Sequence, residues 1–159
     1  MYNDNIMKTT SKHALLGCSH NKGGPFGACV VKDGNIVSLD YNSVLVDKDP
    51  TAHAEVNAIR NASKKLETYD LSNCELYATG YPCPMCLGAI MWAGIKKVYV
   101  SGLLEDAEKI GFKDKIIYET IDNLKDLCYN TNNLELEFVD RSIAQTLYDK
   151  YEKQKGIIY

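Results

Sequence analysis

A chain of 159 residues is long enough to bury its own core without metal or disulfide staples, so a single domain over residues 1–159 is expected. Its formal net charge of −3 and pI near 5.6 lack the basic excess that duplex or tRNA binding leaves in a composition, which argues against nucleic acid as a partner. With neither a signal-like N-terminus nor an apolar run of membrane-spanning length, and with six cysteines that include a tight CxxC, a soluble cytoplasmic protein without membrane contact is expected.

Residues 6–20 carry apolar positions at near-helical spacing and predict a helix that stops at the glycines and proline of NKGGPFG. GACVVKDGNIVSLDYNS reads as two strands around Asp33-Gly34, a dipeptide that favours a tight hairpin turn. In DPTAHAEVNAIRNASKKL, Pro50 precedes the first turn and Thr51 is the expected cap. Ala54, Ala58, Ile59 and Ala62 share one face, so a helix starts at or beside His53.

CELYATG then predicts a strand, PMCLGAIMWAG an apolar helix and KKVYVSG a strand, a succession that implies a parallel pair with a crossover helix. LLEDAEKIGFKDKIIYETI yields no clear element, LELEFVD alternates as a strand, and RSIAQTLYDKYEKQK has the pattern of an amphipathic helix before the closing GIIY. Together these elements predict a three-layer α/β/α domain, a mixed sheet with helices on both faces.

The chemistry concentrates in His53, Glu55, Cys83 and Cys86. Three residues apart at a helix start, Cys83 and Cys86 place both sulfurs on one side of the first turn, where they can grip one ion. His53 would complete a His-Cys-Cys set whose fourth tetrahedral position stays open for water, as in catalytic zinc sites. Thiolates favour zinc over magnesium or calcium, with iron left open. Helix starts also favour thiolate and hydroxide over their protonated forms.

His53 and Glu55 lie two apart and point different ways on a regular helix. A first-turn side chain can nevertheless project past the helix end, so His53 can reach the metal while Glu55 stays free to move protons. The alternative is a structural zinc knuckle with Glu55 as a first-turn carboxylate. It is disfavoured because structural sites are normally closed by a fourth protein ligand.

HxE followed by PCxxC is similar to the signature of zinc nucleobase deaminases. Together GGPFGA, DPTAHAEVNAIR, PCPMCLGAIMWAG and GFKDKIIYE resemble the bacterial guanine deaminases of the cytidine deaminase-like superfamily. The resemblance implies a zinc-dependent aminohydrolase with a cytidine deaminase-like fold that converts guanine to xanthine and ammonia. It assigns Zn2+ to His53, Cys83 and Cys86 and proton transfer to Glu55 and Asp114. The purine would be bound by Asn42, Phe26, Ala54, Trp92 and Tyr159. It further implies a domain-swapped homodimer in which the C-terminal helix and tail, residues 141–159, are exchanged and Tyr159 covers the partner's pocket.

On the residues alone, Asn42 is a strand-end asparagine for which a turn role stands beside a ligand role. Asp114 reads equally as a solvated loop carboxylate, and Phe26 and Trp92 as core aromatics or stacking platforms. One departure from the resemblance is TGYPCPMC, where Gly80 and Tyr81 replace the Ser-x-Glu of many relatives, and another is Gly94 where an arginine is frequent. The competing readings are a tRNA adenosine deaminase, a deaminase of cytosine or another small aminopurine, pterin or triazine, and a zinc-stabilised scaffold without activity.

Overall fold

In the computed structural model, residues 2–125, 133–134, 136 and 141–155 are described. The chain divides into two compact units, Met1–Tyr118 and Glu119–Tyr159. Helix α1 (Asp4–Ser19) leads into strands β1 (Gly27–Lys32) and β2 (Asn35–Tyr41), joined through Asp33 and Gly34. Both turn residues have positive φ, 50° and 76°, the geometry that Asp-Gly accommodates in a two-residue hairpin.

The short helix α2 (Val44–Asp47) and the longer α3 (Ala54–Leu66) follow, then β3 (Glu75–Ala78), α4 (Pro84–Trp92) and β4 (Lys97–Val100). The sheet order is β2-β1-β3-β4. The first two pairings are antiparallel and the β3–β4 pairing is parallel, so the sheet is mixed as expected.

Strand β1 is buried on both faces, and its alternation separates two cores. Ala28 and Val30 face a cluster with Ala54, Ala58 and Ala62 of α3, Leu76 and Ala78 of β3, and Ile90 of α4. Cys29 and Val31 face the other way, against Ile6 and Met7 of α1 and Tyr77. The three fully buried alanines, four residues apart along α3, let that helix lie close on the sheet. A larger side chain there would overpack the contact at a cost of about 1–3 kcal/mol.

The register of the strands also gathers the site. Both β2 and β3 run antiparallel to β1 and hence parallel to each other. The helices α3 and α4 that follow them therefore begin at the same edge of the sheet, and the two pack against each other. Crossover connections of this kind place helix N-termini beside the carboxyl ends of strands, where open α/β sheets bind ligands.

The stretch without a clear sequence pattern resolves into α5 (Leu104–Lys109) and α6 (Asp114–Lys125), separated by Gly111 at φ 98°. Thr51 does not cap α3: its hydroxyl and amide both bond Asp49 Oδ1 at 2.7 Å, and the N-cap is His53. Asp49 competes for the threonine because it lies two residues upstream, the spacing of a local side-chain turn.

In the second unit, Asn133 Nδ2 donates to Thr120 Oγ1 at 3.0 Å, and α7 (Arg141–Lys153) exposes Ile143, Leu147 and Tyr148. The strand expected over LELEFVD, apart from Leu134 and Leu136, and the tail at 156–159 lie outside the described residues.

Candidate active site and metal centre

His53 and Cys83 are the N-cap residues of α3 and α4. Each has extended backbone angles (φ −70°, ψ 153° and φ −66°, ψ 168°), and neither side chain caps its own helix. Both side chains instead project past the helix ends toward each other. Pro84 occupies the first turn of α4, where its missing N–H costs no hydrogen bond, and one turn on Cys86 joins the group.

Cys83 Sγ to His53 Nδ1, Cys86 Sγ to His53 Nδ1, and Cys83 Sγ to Cys86 Sγ each measure 3.6 Å. A tetrahedral zinc with sulfurs at about 2.3 Å and a nitrogen at about 2.0 Å holds such donors roughly 3.5–3.8 Å apart, so the three atoms fit that ion. Among the described residues no fourth His, Cys, Asp or Glu atom joins the cluster.

The thiols are electrostatically unequal. The hydrogen bond between the two sulfurs, with His53 nearby, holds the Cys83 thiol far below its usual range, at about 4. The same hydrogen bond, together with burial and the Glu55 charge, pushes Cys86 upward. Its bond with Cys83 raises His53 against the opposing effect of burial.

Glu55, the second residue of α3, is 7% exposed. Its Oε2 lies 3.5 Å from Cys86 Sγ. Burial is the main force raising its pKa, only partly offset by its own backbone N–H.

A cavity of about 400 Å3 opens onto this centre, and Phe26, Asn42, His53, Glu55, Tyr81, Cys83, Phe112 and Asp114 all line it. Its size falls within the usual range for small-ligand pockets, about 300–1,000 Å3. Asn42 is 4% exposed, and its Oδ1 accepts from the backbone N–H of Gly24 at 3.1 Å and of Val44 at 3.3 Å. Two N–H donors identify that atom as the amide oxygen, which leaves the NH2 group as the free hydrogen-bonding end. Gly23 is required here, since a Cβ on it would overlap the carbonyl and amide oxygens of Asn42.

Phe26 and Phe112 meet edge to face at 4.8 Å between ring centroids. Asp114 begins α6, and burial followed by the Cys83 charge raises its pKa.

Two expected site residues fall elsewhere. Ala54 is fully buried in the core under α3. Trp92, at the far end of α4, is 73% exposed and outside the cavity lining, because the nine-residue helix carries it away from the cysteines at roughly 1.5 Å per residue. Tyr159 lies outside the described residues.

Other residues gained a role only in three dimensions. Asn57 Nδ2 donates to Ser43 Oγ at 2.8 Å, Tyr41 O at 3.2 Å and Ala52 O at 3.3 Å. It thus ties the residues flanking Asn42 to the one before His53. Phe112 and the amide donor of Gly24 sit in loops where composition alone signals only a turn.

A paired Cys-x-x-Cys and His at zinc separations, with a buried carboxylate beside them at the mouth of a base-sized cavity, defines a class of enzyme. Residues 2–102 match the cytidine and deoxycytidylate deaminase zinc-binding region, and the chain belongs to that family as a zinc-dependent aminohydrolase. Among individual relatives, it is 48% identical to the guanine deaminase of Bacillus subtilis over 122 residues, 77% of this chain and 78% of the relative.

The solved structure of the Bacillus subtilis guanine deaminase superposes with a TM-score of 0.89 at 38% identity, covering 96% of this chain and 95% of that one. A guanine deaminase from Nitrosomonas europaea superposes at 0.65 and 32% identity over 68% of this chain and 63% of its own. A further neighbour at 0.65, 32% identical over 68% of this chain and 62% of its own, is in complex with 8-azaguanine. A tRNA-specific adenosine deaminase from Aquifex aeolicus is 51% identical over 79 residues, 50% of this chain and 52% of the relative.

Proposed function

We propose that this protein hydrolyses the exocyclic amine of guanine to give xanthine and ammonia. The observation that carries the reading is that His53 and Cys83 of the zinc set line the same cavity as Glu55, Asn42 and Asp114. When held by His53, Cys83 and Cys86, zinc supplies Lewis-acid activation of water near neutral pH.

Glu55 takes a proton from the attacking water at a carboxylate oxygen and delivers it to the ring nitrogen beside purine C2. The water oxygen bonds to C2, and Glu55 moves the second proton to the exocyclic nitrogen, which departs as ammonia as the C–N bond breaks. A carboxyl whose pKa burial has raised is suited to both accepting and returning a proton.

Asn42 donates through Nδ2 to an acceptor edge of the base. Guanine presents O6 and N7 acceptors there, whereas adenine places an amine donor beside N7. Asp114 accepts from the exocyclic amine and follows its proton, and the Phe26–Phe112 pair provides an apolar wall for the ring.

The same reading includes a cytoplasmic homodimer with residues 141–159 exchanged, so that Tyr159 closes the partner's cavity. The exposed Ile143, Leu147 and Tyr148 of α7 support association, because apolar side chains grouped on a helix face gain from burial. The free thiols Cys18, Cys29, Cys74, Cys83 and Cys86 are consistent with a reducing compartment.

Ammonia release by the zinc-loaded protein over guanine, adenine, cytosine and guanosine tests the substrate. Turnover of guanine above the other three is expected, and its absence refutes the assignment. Sedimentation showing a monomer refutes the dimer, and full activity after removal of residues 156–159 refutes the sealing role of the tail.

A further inference from the structure

The Tyr118 hydroxyl donates to the carbonyl oxygen of Pro82 at 2.6 Å. Pro82 immediately precedes Cys83 and is buried, so this bond lands on the backbone that delivers the first zinc cysteine to the head of α4. Tyr118 lies on α6 four residues after Asp114, and residues at that spacing share a helix face. One helix face therefore carries both the carboxylate at the cavity wall and a phenol anchored to the metal loop.

We propose that Tyr118 is a positioning residue, fixing Asp114 beside the metal centre by pinning the first turn of α6 to the Pro82 carbonyl. Asp114 begins its helix just after the Gly111 turn that follows α5, where the Phe112 N–H donates to Ala107 O at 3.1 Å and the Phe112 ring meets Phe26, so its N-terminal side is tied to α5 and the cavity wall. The Tyr118 bond supplies the restraint from the C-terminal side, one turn along. Near 2.6 Å the hydroxyl–carbonyl contact is at the short end of the O–H···O range and defines the spacing narrowly.

Burial raises the phenol to about 12, so it stays a donor throughout the working pH range. The ring centroid also lies 6.3 Å from that of Tyr81, the residue before Pro82 in the chain. This placement of Asp114 rests on the guanine reading only for what the carboxylate does once positioned.

The test compares Tyr118→Phe, Asp114→Asn and the double variant as zinc-loaded full-length proteins. Tyr118→Phe is expected to keep full zinc and a KM within about twofold, while kcat on guanine falls about tenfold, as small misplacements of catalytic groups cost rate rather than binding. In the Asp114→Asn background the same change should cost less than about twofold, because the group it positions is gone.

Hydrogen–deuterium exchange is read on the same proteins and should rise at residues 113–118 in Tyr118→Phe. Loss of zinc, an undiminished kcat, or a full tenfold loss on top of Asp114→Asn would each overturn the proposal. No turnover of guanine by the unmodified protein would refute the substrate reading instead. The exchange result then decides alone, and unchanged exchange at residues 113–118 would overturn the positioning role.

Discussion

Cys86 Sγ and Glu55 Oε2 lie 3.5 Å apart, so the carboxylate touches the metal-binding set without belonging to it. When Cys86 loses its proton to hold zinc it can no longer donate, and Glu55 is released to a different hydrogen-bond donor. The released carboxylate is the group proposed to carry protons. Glu55→Gln keeps the size and removes the basicity, so zinc content should be unchanged while kcat falls by about 10²- to 10⁴-fold, the usual contribution of general acid–base catalysis. Zinc analysis and steady-state rates on one preparation check this; loss of zinc would show Glu55 to be a ligand.

Cys86→Ser addresses the other side of the contact. Cys86 is fully buried, and its sulfur closes the 3.6 Å triangle with Cys83 and His53. A serine oxygen is shorter-reaching and harder, and it suits zinc poorly. Zinc stoichiometry should drop below one per chain, and chelator should no longer lower the melting temperature, since a ligand bound only to the folded state stabilises it by mass action. A variant that still melts lower after chelation would show that the site holds metal without Cys86.

Much of this site was legible in the sequence because its chemistry is local. His53 with Glu55 and Cys83 with Cys86 are short-range pairs, and the strand and helix signals around them placed both at helix starts. Topology supplied the rest. That α3 and α4 begin at one sheet edge follows from β2 and β3 both running antiparallel to β1, a relation between segments no local pattern encodes. Trp92 stood six residues beyond a zinc cysteine in sequence, yet two turns of helix carry it out of the cavity. Asn57 and Tyr118 left no signal, since the Tyr41 carbonyl and Ser43 hydroxyl that Asn57 joins and the Pro82 carbonyl that Tyr118 reaches lie 14 to 36 residues away along the chain.

Asn57 yields a prediction of its own. Its amide joins Tyr41, Ser43 and Ala52, so the loop bearing Asn42 and the residue before His53 move as one piece. Asn57→Ala strands these acceptors and should cost about 1–3 kcal/mol of stability. KM for guanine should rise severalfold as Asn42 loosens, with zinc retained. Denaturant unfolding and substrate titration check both, and an unchanged KM would show that Gly24 and Val44 alone hold Asn42 in place.

Asp40 bears on stability rather than catalysis. Its Oδ1 accepts from Asn61 Nδ2 at 2.8 Å, while its Oδ2 is buried without a hydrogen-bond partner among the described residues. Burial raises its pKa, opposed by the Asn61 bond and by His13. A carboxyl raised on folding binds its proton more tightly in the native state than in the unfolded chain. Its stabilising contribution is therefore complete below the unfolded value of about 3.9 and is lost as pH climbs through the folded value. Asp40→Asn removes the charge and keeps an acceptor for Asn61. The variant should be the more stable protein at pH 7, by less than about 1 kcal/mol because the site is half open to solvent, and the two should converge near pH 3.5. Urea unfolding at both pH values measures the difference, and a variant less stable at pH 7 would mean that the ionised carboxylate has a compensating partner in solution.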